Sequence, residues 1–232
     1  MLRLEEALWA SGLQRVAGMD EVGVGPLAGP IVAVAVVLPP GCRIEGVRDS
    51  KALSRRRREV LDGEIRSRAV AIGFGIVEAA EVDRINPFQG GLCAMRRALD
   101  ALPEVPEHLL IDARTLPDID VPQTALIRGD ARVHSIGAAS IVAKVFRDRL
   151  MARLDLDYPG YGFGRHAGYG TVVHLDALQR LGPSPVHRLS YAPVRRAAER
   201  QAAAATGLSA RGRHNGDDEE NSAEPALIPE GD

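Results

Sequence analysis

Eight consecutive apolar residues at positions 31–38, Ile-Val-Ala-Val-Ala-Val-Val-Leu, constrain this chain more than any other stretch. Branching at Cβ suits a pleated strand, and the run shows no alternation of polar and apolar residues. A strand that is apolar on both faces must lie inside a sheet covered on both sides. Eight residues are also too few to cross a bilayer, which takes about 20. Further strand signals fall at 15–19, 70–77, 108–112 and 124–128. A short N-terminal helix would set Leu4, Leu8 and Trp9 on one face. Ser54 is placed to cap a basic helix reaching Arg68, and helical stretches follow at 87–102, 135–154 and 171–181, with a short one at 193–200. Three early strands with short links predict an antiparallel start, and later strands alternate with helices. The expected class is a mixed α/β sheet flanked by helices.

Net charge misleads. The whole chain carries 29 basic and 31 acidic residues; removing the two arginines and seven acids beyond residue 200 leaves 27 and 24, a net of +3 over 1–200. The main body is mildly basic, which permits a nucleic-acid partner. Residues 201–232 are small, polar and acidic, too poor in large apolar side chains to offset their ordering entropy, so this reading makes them a disordered acidic tail. Cys42 and Cys93 lack metal-ligand spacing and read as reduced thiols of a cytoplasmic protein. No charged leader with an apolar core opens the chain, and no membrane association is expected.

The chemistry lies in the acids. Asp20 and Glu21 end one strand signal, Asp112 ends another, and Asp130 follows a third after Gly129. Functional residues of α/β sheets gather at strand ends. Clustered carboxylates repel unless a cation neutralises them, and Mg²⁺ or Mn²⁺ prefer oxygen ligands. Adjacent strand residues face opposite ways, so Asp20 and Glu21 can share a site only if the strand breaks there. Gly23 and Gly25 would supply that break and let backbone N–H groups approach a ligand. With Gly29 they could pass for a dinucleotide loop, but Pro26, Pro30 and the following apolar strand deny it the helix it needs.

The segment Gly18-Met-Asp-Glu-Val-Gly-Val-Gly-Pro-Leu-Ala-Gly-Pro30 resembles the opening motif of the ribonuclease HII family. Asp49-Ser-Lys51, Leu110-Ile-Asp-Ala-Arg114, Gly129-Asp-Ala-Arg132, Ala138-Ala-Ser-Ile-Val-Ala-Lys-Val145 with Arg147-Asp148, and Tyr161-Gly-Phe163 with His166 and Gly168-Tyr169 follow in the same order. The likeness spans roughly residues 13–198. It implies an RNase H-like catalytic domain over 1–200 with a C-terminal helical segment. It further implies an endoribonuclease acting as a monomer on RNA–DNA hybrids and on duplex DNA containing ribonucleotides. Cutting would fall 5′ of the ribonucleotide by two-metal catalysis with Mn²⁺ or Mg²⁺. Asp20, Glu21, Asp112 and Asp130 match the catalytic and metal-binding acids. Gly23-Val24-Gly25 matches the turn that reads the ribose 2′-hydroxyl, Tyr169 the tyrosine that packs on the sugar, and Lys51 and Lys144 lie in matching motifs that contact phosphate or order the acids.

Three positions depart from that pattern. Val24 stands where the family has arginine, Ala167 where it has lysine, and Ala113 where it has glycine. Two missing cations predict weaker, more salt-sensitive backbone binding or looser junction selection, with the chemistry intact. The alternatives are another RNase H-fold nuclease or nucleotidyl transferase with the same acids, and a catalytically silent hybrid-binding protein. The run 55–58, four arginines, reads as a solvated helix face, and Tyr161 and Phe163 as packing residues. His166 is assigned a hydrogen-bonding or phosphate role, Asp148 an arginine partner, and His134, His174 and His187 no role.

Overall fold

The structure is a computed structural model and describes residues 1–48 and 50–212. Its centre is a five-stranded sheet, β1 (Val16–Val22), β2 (Ile31–Val37), β3 (Ala71–Val77), β4 (His108–Asp112) and β5 (Gln123–Leu126), in the order β3-β2-β1-β4-β5. β1, β2 and β3 form an antiparallel meander, while β4 and β5 join parallel to β1. The apolar run becomes β2, and all seven of its residues are buried. Ile31, Ala33 and Ala35 face helix α4 (Pro87–Asp100), whereas Val32, Val34 and Val36 face α2 (Arg55–Arg68) and α6 (His134–Asp157). The second face explains why the run carries no polar alternate.

Close approach sets these layers. A Cβ on Gly75 would lie 1.8 Å from the Ala94 carbonyl oxygen of α4, and one on Gly18 would lie 2.1 Å from the Ser135 carbonyl carbon of α6. The remaining helices are α1 (Arg3–Ala10), α3 (Ala79–Ile85), the single turns α5 (Gly129–Arg132) and α7 (Phe163–His166), α8 (Val172–Leu181) and α9 (Ala192–Gly212). As expected, Ser54 caps α2 through its hydroxyl, and Leu4, Leu8 and Trp9 pack α1 against β1 and β4.

The single turns α5 and α7 carry no signal in the sequence reading, and two longer elements differ from it. α3 was not anticipated; Asn86, at φ 68°, ends it and caps α4, the helix expected from Pro87. α9 runs to Gly212, past both its expected end and the start of the expected disordered tail. Four consecutive alanines, Ala202 to Ala205, favour helix with little burial. Residues 213–232 of that tail lie outside the described residues.

Candidate active site

Sheet register decides which acids meet. β1 and β4 run parallel, and their last pair is Met19 with Ile111. One step further, where the ladder ends, Asp20 comes level with Asp112. Residues level on neighbouring strands share a face, here the face of α6. Asp20 is 8% exposed. Burial pushes its carboxyl well above the usual carboxylate range, and the charges of Glu21 and Asp112 push it further; hydrogen bonds from the Ser140 hydroxyl and the Glu21 N–H pull the other way.

The break expected of the glycines falls at the first of them, after both acids, and not between Asp20 and Glu21. β1 stays paired through Glu21–Ala33 and Val22–Val32, and the chain turns only at Gly23, φ 92°. Glu21 therefore leaves the strand on the α4 side, opposite Asp20. Both acids still line one cleft of about 430 Å³, because it opens at the end of the strand, where the two faces meet. Register, which a single strand's sequence does not contain, makes the break unnecessary. Asp112 and Asp130 line the same cleft, as do Gly23, Val24, Gly25, Lys144 and Tyr169.

Each acid has local partners. Asp112 Oδ1 accepts the Gly129 N–H at 2.6 Å, and Asp130 Oδ1 accepts the Ala131 N–H at 2.9 Å. Among the described residues no three acidic, histidine or cysteine side chains form a ready ion cage. Glu21 Oε1 lies 3.6 Å from Arg114 Nη2, and that guanidinium sits 4.9 Å above the Phe88 ring. Lys144 Nζ is 2.5 Å from Asp148 Oδ1, whose other oxygen is 3.7 Å from Arg58. Arg58 also donates to the Ser50 and Leu53 carbonyls, so the arginine run on α2 is partly internal structure. Asp49 and the side chain of Lys51 lie outside the described residues. Sequence reasoning passed over Ser50 and Ser140, whose hydroxyls are 2.9 Å apart in the cleft wall, and Arg114. A signal for Ser140 existed: it is polar within the otherwise apolar stretch 138–143.

Tyr169 is carried by a histidine platform. His174 Nδ1 donates to the Tyr169 carbonyl at 2.9 Å, which leaves its Nε2 to accept from His187 Nε2 at 3.0 Å. His187 Nδ1 in turn accepts the Ser184 N–H. His166 stacks on His174 at 4.5 Å and spends both ring nitrogens on its own loop, at the Tyr161 carbonyl and the Gly168 N–H. Tyr161 and Phe163 are buried and stacked beneath, in packing roles as expected. Tyr169 is 45% exposed, and its ring lies over Gly25, 3.9 Å from where a Cβ there would sit.

This platform requires neutral imidazoles. Burial lowers His187 to about 4, with His174 beside it adding to the shift, and burial likewise lowers His134 to about 4. The unfolded chain, with histidines near 6.5, takes up those protons first, so stability is full above about pH 7 and falls as pH drops towards 4. The melting temperature is expected to fall by roughly 10 °C between pH 7.5 and pH 5, less in His187→Gln. A flat profile measured by calorimetry would contradict this assignment.

Behind the turn at Gly23 lie Arg147 and Arg188, both fully buried. Burial lowers each guanidinium, Arg147 to about 10, which leaves both charged at neutral pH. A Cβ on Gly23 would fall 2.2 Å from Arg147 Nε, so the turn is glycine for space as well as for its φ.

Acids delivered by adjacent strand ends of a mixed sheet, under a long helix, define a protein of RNase H-like fold. The chain matches the crystal structure of ribonuclease H2 from Pyrococcus horikoshii with a TM-score of 0.67 at 27% identity, over 80% of this chain and 98% of the other. Residues 17–194 match the sequence pattern of ribonuclease HII, and the chain belongs to that family. A ribonuclease HII from Geobacillus kaustophilus is 52% identical over 195 residues, 84% of this chain and 75% of that protein. One from Myxococcus xanthus is 52% identical over 198 residues, 85% and 68%. The activity that follows is that of an endoribonuclease of the ribonuclease H type.

Proposed function

We propose that this endoribonuclease cuts the RNA strand of RNA–DNA hybrids and also cuts 5′ of single ribonucleotides embedded in duplex DNA, with Asp20, Glu21, Asp112 and Asp130 holding two divalent cations. The observation that carries the reading is Asp20, buried, level with Asp112 and beside Glu21, its carboxyl driven up by all three circumstances. A buried carboxylate cluster of that kind is costly unless a cation enters. The donors are all oxygen, which suits Mg²⁺ or Mn²⁺. When bound, two such cations supply charge compensation to the attacking and leaving oxygens of an in-line phosphoryl displacement.

The protein supplies the rest. Gly23-Val24-Gly25 offers backbone to the ribose, whose 2′-hydroxyl distinguishes RNA from DNA at one position. The Tyr169 ring, over Gly25, packs on the sugar. Lys144, held by Asp148, contacts phosphate or orders the acids, and the motif of Lys51 suggests the same role for it. The deciding experiment is cleavage of three duplexes: all DNA, one embedded ribonucleotide, and a long hybrid, each with Mg²⁺, Mn²⁺ or chelator. The two ribonucleotide-containing duplexes are expected to be cut with metal only, leaving 5′-phosphate ends. Cleavage of the all-DNA duplex, or failure on the single ribonucleotide, would assign the acids to a different substrate.

Val24 bears on the same reading. Its side chain packs on α4, and both Val24 Cγ2 and Arg114 Nη1 come within 4 Å of where a Cβ on Gly91 would sit. Val24→Arg is expected to lower KM on the single-ribonucleotide duplex roughly fivefold, the scale of about 1 kcal/mol of phosphate contact. An unchanged KM across a salt series would show that the missing arginine costs this chain nothing.

A further inference from the structure

Arg147 and Arg188 bury two positive charges, and among the described residues neither forms an ion pair. Apart from the Ala167 carbonyl, to which Arg147 Nη1 donates at 2.9 Å, and the Tyr191 hydroxyl, to which Arg188 Nη1 donates at 3.1 Å, their partners are carbonyls of one loop. Arg188 Nη2 donates to Gly23 O at 2.6 Å and to Gly29 O at 2.7 Å, and Nη1 donates to Val24 O at 2.8 Å. The Tyr191 hydroxyl donates to the same Val24 oxygen at 2.5 Å. Arg147 holds the loop's far end through Pro30 O at 2.9 Å and Ala28 O at 3.3 Å. Asp83 of α3 fixes the segment after Arg188 by accepting the Leu189 and Ser190 N–H groups. Burying two unpaired guanidinium charges is expensive, and neutral donors could close a purely structural loop.

The geometry of the peptide gives the charges a use. In a trans peptide C=O and N–H point opposite ways, and no cis bond occurs among the described residues. Pulling the Gly23 and Val24 carbonyls inward turns the Val24 and Gly25 N–H groups outward, on a stretch that lines the cleft. Neither N–H has an acceptor among the described residues. A charged donor on each carbonyl also polarises its peptide and strengthens the N–H as a donor. We propose that Arg188, with Tyr191 at its side and Arg147 behind the loop, is a positioning residue that presets the Val24 and Gly25 amides as a pair of donors to the ribose oxygen of the substrate. This rests on the loop's reading of ribose proposed above.

The test uses Tyr191→Phe and Arg188→Lys in the full chain, in chelator so that substrate binds uncut. Amide resonances of Val24 and Gly25 are followed by NMR as a single-ribonucleotide duplex or its all-DNA counterpart is added. In the wild type the ribonucleotide duplex is expected to move both resonances further than the all-DNA duplex. In each variant that difference falls to about half or less, and with metal KM rises roughly three- to tenfold while kcat stays within about twofold. A merely structural role would lower the folded fraction and leave KM and the resonance difference alone. Retention of the wild-type difference and KM in Tyr191→Phe, the variant that keeps the ring and the buried charge, overturns the proposal even if Arg188→Lys does not fold. No ribo-versus-deoxy difference in the wild type itself locates the failure in the loop's reading of ribose instead.

Discussion

An Asp112→Asn variant is expected to bind hybrid within about threefold of the wild type and to cut it at least roughly a thousandfold more slowly, a loss of about 4 kcal/mol of transition-state stabilisation. Asparagine is nearly isosteric and keeps a side-chain oxygen for the Gly129 N–H that Asp112 now accepts, so the turn from β5 into α5 persists. What disappears is charge at the strand end. Burial and the charge of Glu21 hold the Asp20 carboxyl high, and the charge of Asp112 adds to them, so Asp20 comes down only part of the way once that charge is gone. The cluster then attracts cations less and has one oxygen donor of weaker character. Removing a repelling charge should leave the metal-free protein at least as stable as the wild type, which separates loss of chemistry from loss of fold. Single-turnover cleavage, fluorescence anisotropy on hybrid and a melt in chelator make the three measurements. Cleavage within tenfold of the wild type would remove Asp112 from the site, and a lowered melt would turn the result into one about folding.

The acids were legible in the sequence because strand ends are visible there: β4 reads Leu-Leu-Ile before Asp112, and an apolar segment has little other reason to finish on a charge. The level of Asp20 against Asp112 was not legible, since it depends on the register of two strands about ninety residues apart. Without register, the two acids need a break to share a site, and the strand signal ends at Met19, three residues before β1 ends at Val22. β2 was legible for the opposite reason; burial on both faces writes itself into every residue of the run. Arg147 was read only as part of a motif, and Arg188 passed unnoticed. In sequence each looks like one more surface arginine. Their partners stand 117 and 165 residues away at Pro30 and Gly23, and are backbone carbonyls, which carry no residue signature at all. The C-terminal helix was underestimated because burial, not alanine's intrinsic preference, was used to judge it.

A single methyl group on Gly18 should damage both fold and catalysis without touching an acid. Its Cβ would stand 2.1 Å from the Ser135 carbonyl carbon, 2.4 Å from that oxygen and 2.5 Å from the Ile136 nitrogen. All three are backbone atoms in the first turn of α6, so no side chain can rotate aside; the helix must lift from β1. Overpacking of this kind costs about 3 kcal/mol or more, a melting temperature lower by roughly 10 °C. The lift also travels. Ser140, which bonds Asp20, and Lys144 ride on the same helix, while Asp20 lies two residues along the same strand as Gly18. Separating them by about 1 Å is expected to slow cleavage in the remaining folded protein by roughly a hundredfold. Gly63→Ala is the control, because that glycine lies inside α2 with nothing within 4 Å of its Cβ position. There the same methyl should stabilise the protein by up to about 1 kcal/mol and leave cleavage unchanged. Equal melting temperatures for Gly18→Ala and the wild type would mean that α6 does not rest on β1 at this distance, and the contact between Ser140 and Asp20 would lose its structural basis.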